Sequence, residues 1–185
     1  LARGADPNQP GPRGRPPIAW AMSELSLRRE DVARARDVFA CIELCLDAGA
    51  DPNVLWDERV CGTPLGSAVE QGRPEFVRLL LSAGADPNVP PDEDGLTILH
   101  HACGLWGRRA SGYEIVRLLL AAGADHAVQS NPPRNETPFG NAVCHGRLLH
   151  RLWPLFLQAG AEIPNTWRRT QAFNEEQRQH EVAQR

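Results

Sequence analysis

The tripeptide Gly-Ala-Asp returns along this chain at a nearly regular interval, and that recurrence restricts the fold more than any single residue does. Full copies read Gly4-Ala5-Asp6-Pro7-Asn8, Gly49-Ala50-Asp51-Pro52-Asn53 and Gly84-Ala85-Asp86-Pro87-Asn88, followed by Gly123-Ala124-Asp125 and Gly160-Ala161-Glu162. Their starts lie 45, 35, 39 and 37 residues apart. A period in this range implies stacked supersecondary units, each burying its apolar face against the next.

An apolar run at helical spacing precedes each copy, as in Phe76-Val77-Arg78-Leu79-Leu80-Leu81 and Ile115-Val116-Arg117-Leu118-Leu119-Leu120. Each run stops at a Gly, which takes the left-handed conformation that closes a helix end. A shorter helix lies upstream, opened by Thr63-Pro64-Leu65, Thr97-Ile98-Leu99 or Thr137-Pro138-Phe139. Thr caps the first turn, and Pro fits there because its missing N–H had no helical partner.

Together these motifs resemble the ankyrin repeat, whose consensus joins Thr-Pro-Leu-His-x-Ala, a Leu-rich second helix and Gly-Ala-Asp-x-Asn leading into a hairpin. The resemblance covers nearly all of residues 1 to 165. It implies a mostly α ankyrin-repeat solenoid: helix-turn-helix units joined by β-hairpin loops, about four repeats plus a polar C-terminal helix. Residues 1–8 are expected to end a preceding repeat. Repeat 1 spans 9–53 with an insertion at 23–39, repeat 2 spans 54–88, and repeat 3 spans 89–125 with an insertion at 105–112. Repeat 4 spans 126–165, and 166–185 form a capping helix or tail. Leu1-Ala2-Arg3-Gly4 reads as the tail of an earlier second helix, so a fragment or processed chain is expected.

The insertions fall at the turn between the two helices of a unit, where added length leaves inter-repeat packing alone. Residues 23–39 balance Arg28, Arg29, Arg34 and Arg36 against Glu24, Glu30, Asp31 and Asp37, the pattern of a helix extension or solvated charged loop. Pro154 interrupts the fourth Leu-rich run, predicting a helix that starts late or kinks. All 20 basic residues are Arg, a bias ascribed to coding composition; the net charge is −3 and the Arg residues are spread among acids. That distribution argues against nucleic acid, which needs a concentrated basic stripe. No apolar run reaches membrane-spanning length. Five cysteines at irregular spacing argue for reduced thiols in an intracellular chain, cytoplasmic in preference to nuclear.

Chemistry finds little support. His100, His101, Cys103, Cys144 and His145 are the best metal candidates, but successive units hold them too far apart for one zinc sphere. His100 occupies the family's customary His, which resembles a structural hydrogen-bonding residue. Cys41 and Cys45 share a helical face and read as small core hydrophobes. Neither a nucleophile elbow nor a phosphate loop is present. Asn135 stands where the hairpin wants Gly, a position Asn tolerates. No catalytic, metal or cofactor site is therefore expected.

In the ankyrin family, hairpin tips and the exposed side of the first helices form a concave surface that binds other proteins. Carried over position by position, the hairpin candidates are Arg13, Arg15, Arg59, Glu93, Asp94, Arg134 and Glu136. The first-helix candidates are Ser23, Glu24, Glu70, Gln71, Leu105 and His145, with Trp20 at a position half facing the neighbouring unit. Trp56 and Trp106 are the aromatics least demanded by the repeat, and aromatics dominate interface hot spots. The resemblance thus implies a monomeric, non-catalytic module for a protein or peptide partner. The alternative is a sensor or regulatory arm of a larger multidomain enzyme or switch protein.

Overall fold

The computed structural model describes residues 5–11, 14–27, 32–56, 62–106, 111–145 and 149–162. Eight helices follow one another in pairs among these residues: α1 (Pro17–Leu27) with α2 (Val32–Asp47), α3 (Pro64–Glu70) with α4 (Pro74–Ser82), α5 (Ile98–Trp106) with α6 (Gly112–Ala121), and α7 (Pro138–His145) with α8 (Leu149–Gln158).

Local chemistry explains where these helices begin and end. Thr63 is extended, accepts the Gly66 N–H at 3.1 Å and is followed by Pro64 at the first helical position. Thr137 repeats the cap toward the Gly140 N–H at 3.2 Å. At the other end, Gly84 adopts φ 88°, its N–H donates to the Leu81 carbonyl, and the Ala85 N–H reaches back to Leu80. This paired closure satisfies carbonyls that the helix leaves open. It recurs at Gly49, Gly123 and Gly160, so these four copies of the motif are helix stops.

Contacts link partners within a pair, α1 with α3, α3 with α5 and α5 with α7 along one layer, and α4 with α6 and α6 with α8 along the other. The first-helix layer buries Ile18, Leu65, Leu99 and Phe139, with Ala68, Ala102 and Ala142 fully covered. The second-helix layer buries Ile42 and Cys45, then Phe76, Val77 and Leu80, then Ile115, Val116 and Leu119, then Leu152 and Phe156. Edge-on ring pairs fill the seams: Phe39 with Phe76 at 5.3 Å and Phe139 with Phe156 at 5.2 Å. On the outer side of the second helices, Arg78 and Arg117 both donate to the Glu114 carboxylate at 2.8 and 2.7 Å. The hydrogen bonds from Arg117 above all hold Glu114 below the usual carboxylate range.

The repeated Gly-Ala-Asp-Pro-Asn spelling of three loops builds a side-chain ladder between units. The Asn8 amide donates to the Gly49 carbonyl at 2.9 Å and accepts the Asp51 N–H at 2.7 Å. Asn53 does the same to Gly84 and Asp86 at 3.2 and 2.7 Å, and Asn88 to Gly123 and Asp125 at 3.0 and 2.7 Å. Each loop is pre-shaped by its own Asp: the Asp6, Asp51 and Asp86 carboxylates accept the N–H two residues on at 2.8–2.9 Å. The next rung would fall on Ala127, which has no amide. His126 there reaches the Ala159 carbonyl through Nε2 at 2.9 Å instead.

Of the two readings of the 23–39 insertion the structure takes the helix extension, with α1 running to Leu27 and α2 starting at Val32, while other expectations change. The α8 helix does not start late: it opens at Leu149, two residues before Arg151, the same offset as Gly112 before Glu114, and is continuous through Pro154. One lost hydrogen bond there is outweighed by Leu152 and Phe156, each fully buried and contributing about 1.5–3 kcal/mol. Cys41 is exposed, one step around the helix from the buried stripe of Val38, Ile42 and Cys45. The tail at 166–185 lies outside the described residues.

If the ladder stabilises the stack, Asn53→Ala lowers the thermal midpoint by roughly 4 °C, since it removes two modest hydrogen bonds. Ala127→Asn, which supplies the missing amide, raises it. Differential scanning calorimetry measures both, and an unchanged midpoint for Asn53→Ala would show the rungs to be decorative.

Candidate functional site

Between one unit and the next the chain leaves the stack and returns as a hairpin whose base is closed by a backbone bond. The Gly11 N–H donates to Arg15, Trp56 to Gly62, Asp92 to Leu96 and Ser130 to Glu136, at 2.9–3.1 Å. No strand ladder occurs among the described residues. The residue before the closing carbonyl turns left-handed in three hairpins, with φ 71° at Gly14, 76° at Gly95 and 47° at Asn135. The Asn135 value matches its expected turn role.

The third and fourth hairpins are fastened side by side. Asn131 donates its N–H to the Asp94 carbonyl at 2.8 Å and its amide to the Glu93 carbonyl at 2.9 Å. A Cβ on Gly95 would sit 2.7 Å from Asn131 backbone and side-chain atoms, so only Gly permits this approach. Within the third hairpin, one Asp92 carboxylate oxygen accepts the Asp94 and Leu96 N–H groups at 3.0 and 2.8 Å. Its other oxygen meets His101 Nε2 at 3.0 Å.

Histidine and amide side chains tie this edge to the first helices. His100, fully buried, accepts the Thr97 N–H on Nδ1 at 3.1 Å. Its Nε2 lies 2.8 Å from the Glu136 carbonyl of the next hairpin, so Nε2 carries the proton. Burial depresses its pKa below 6.5, against the opposing pull of that carbonyl. The Asn141 amide donates to the His100 carbonyl at 3.2 Å. His100 is thus the inter-unit bridge that the family resemblance implies.

The expected surface residues divide by exposure. Glu70, Glu93, Asp94 and Arg134 are exposed; Trp20, Glu24 and Glu136 are half-buried. Arg15 is half-buried and donates to Ser23 Oγ at 3.4 Å, while Ser23 Oγ donates to the Ala19 carbonyl at 2.8 Å. Gln71 departs from expectation: it is 9% exposed, caps the end of α3 and donates its amide to the Met22 carbonyl of the preceding unit at 3.4 Å. Trp56 and Leu105 pack in part against the core. Arg13 and Arg59 lie outside the described residues; Trp106 and His145 end α5 and α7, with side chains likewise outside. Leu55, passed over in the sequence, is 69% exposed beside Trp56. Its signal was alternation, since Val54 and Trp56 turn inward on either side.

Reactive groups are muted. Burial raises the Cys45 and Cys103 thiol pKa values, which leaves both weakly nucleophilic. Among the described residues no three His, Cys, Asp or Glu side chains converge on a metal-sized site, and no helix is long and apolar enough to cross a membrane.

The family described as ankyrin repeats (3 copies) matches residues 30–130, more than half of the chain. Among solved structures, a crystal structure of an ankyrin repeat domain from Acinetobacter baumannii AYE is similar, at 29% sequence identity and a TM-score of 0.67. The alignment covers 86% of this chain and 72% of that one. No curated protein matches.

The His100 bridge gives stability a pH dependence. The folded pKa lies below the ordinary 6.5, so the stabilisation is complete above that value and is lost as pH falls through the lower folded pKa. Thermal midpoints measured from about pH 8 down to about pH 5 should fall in the acid half of the range, and His100→Gln should flatten that slope. An equal slope in both proteins would remove His100 from the account.

Proposed function

This chain belongs to the ankyrin-repeat family, and we propose that it is a non-catalytic module that holds a partner protein or extended peptide against its hairpins and first helices. Ankyrin repeats are in general protein-protein interaction modules, so the finer content of the proposal is which side is used.

The observation that carries it is the fastened pair of hairpins. Asn131 locks the third and fourth tips together through the Glu93 and Asp94 carbonyls, leaving the Glu93, Asp94 and Arg134 side chains exposed on one ledge. A shallow cleft opens between them, lined by Asp94, Leu96, Asn131, Pro132, Pro133 and Arg134. The Glu93 and Asp94 backbone is held by Asn131, while the charges of Glu93, Asp94 and Arg134 face outward. Pre-organised charge of this kind supports recognition, because little ordering entropy remains to be lost on binding. Arg15, Glu24, Glu70 and the exposed Leu55 extend the same side toward the first unit.

The test is binding of a partner isolated with the wild-type chain and measured by calorimetry. Reversing Glu93, Asp94 and Arg134 together should weaken it at least tenfold while the circular dichroism spectrum and thermal midpoint stay unchanged. Reversing Arg78 and Arg117 on the second-helix side should leave affinity within twofold. The opposite ranking would move the binding site to the other layer.

A further inference from the structure

The Thr residues that open α3 and α7 commit their hydroxyls to the first helical turn, toward the Gly66 and Gly140 N–H groups. Ser111 stands at the corresponding place before α6, partly exposed and in helical geometry at φ −72° and ψ −16°, yet its side chain makes no capping hydrogen bond. Gly112, the weakest helix former after Pro, follows at the first helical position. The first turn of α6 is therefore held without a side-chain cap and frays more cheaply than a capped one.

The sequence before Ser111 supplies a second, independent observation. It reads Arg108-Arg109-Ala110-Ser111, and no other Ser or Thr of the chain has Arg both two and three residues before it. The placement of Arg108 and Arg109 lies outside the described residues, so both enter as sequence alone. Thr137 has Arg134 three residues before it but commits its hydroxyl to Gly140, while Ser23 and Ser82 donate theirs to the Ala19 and Leu79 carbonyls. Paired guanidinium groups just ahead of a free hydroxyl suit a kinase cleft lined with carboxylates, where each contact is charge-assisted and bidentate.

We infer that Ser111 is a phosphoacceptor for a serine kinase of that kind, and that the phosphate then serves as the cap that α6 lacks. The Ser111 oxygen attacks the γ-phosphorus of a nucleoside triphosphate and forms the new P–O bond. The bond to the bridging oxygen breaks, the nucleoside diphosphate leaves with that electron pair, and the hydroxyl proton passes to the kinase's catalytic carboxylate. The product carries about −1.5 to −2 charges at pH 7, placed where the open N–H groups of the first turn and the helix dipole favour an anion. Glu114, three residues on, is a like charge. Arg78 and Arg117 already hold its carboxylate at 2.8 and 2.7 Å, so the attraction to the helix end prevails.

The test incubates the full chain with magnesium ATP and the cyclic-AMP-dependent serine kinase below the thermal midpoint, and locates phosphate by tandem mass spectrometry. Phosphate is expected on Ser111, absent from Ser111→Ala, and entering at least about tenfold more slowly when Arg108→Ala and Arg109→Ala are combined. Circular dichroism checks that each variant is folded before it is assayed. The phosphorylated chain should melt about 2–4 °C higher, and about 1 M salt should remove most of that gain. Phosphate on another residue, an unchanged rate in the double Arg variant, or labelling only after thermal unfolding overturns the inference. An unchanged or lowered midpoint in the phosphorylated chain overturns the capping role.

Discussion

The bifurcated contact of one asparagine side chain with the next loop keeps successive units in register at three of the four described steps. Each amide donates to a helix-ending Gly carbonyl and accepts the N–H two residues later, so it reads position and orientation together. Its energy is modest, about 1 kcal/mol per net hydrogen bond, against about 2–5 kcal/mol for truncating a buried Leu such as Leu80. The core therefore supplies most of the cohesion. Oily surfaces are poor at specifying register, however, and the amide supplies that at little cost.

Much of the fold was legible because its determinants are local. Thr63 with Pro64 starts a helix wherever it stands, and Gly84 stops one; neither needs a distant partner. Asn53 was visible as a repeated letter, yet its partners lie in the next unit, 31 and 33 residues onward, and pattern alone did not show what it holds. Pro154 misled only as to where α8 begins, and for the opposite reason. Its local penalty is real, but the tertiary burial of Leu152 and Phe156 exceeds it.

The candidate surface was less legible. Its hairpin positions could be read from the offset to each Thr-Pro site, but exposure depends on what packs across from them. Gln71 sits at the end of a first helix like its counterparts, and only the approach of the Met22 carbonyl turns it inward. Asn131 carried no signal, because its role depends on how close the Glu93 and Asp94 backbone comes. Glu93, Asp94 and Arg134 stay outward, and under the proposed function partner choice falls to such variable positions while the repeated ones build the fold.

The substitution of the asparagine by Ala127 has a mechanical corollary. Under tension along the stack, load passes between successive exit loops through a two-pronged clasp at Asn8, Asn53 and Asn88, but through the lone His126 prong at the final step. At that step the exit loops hold least, and the load shifts to the opposite edge, where Asn131 clasps Glu93 and Asp94 and His100 clasps Glu136.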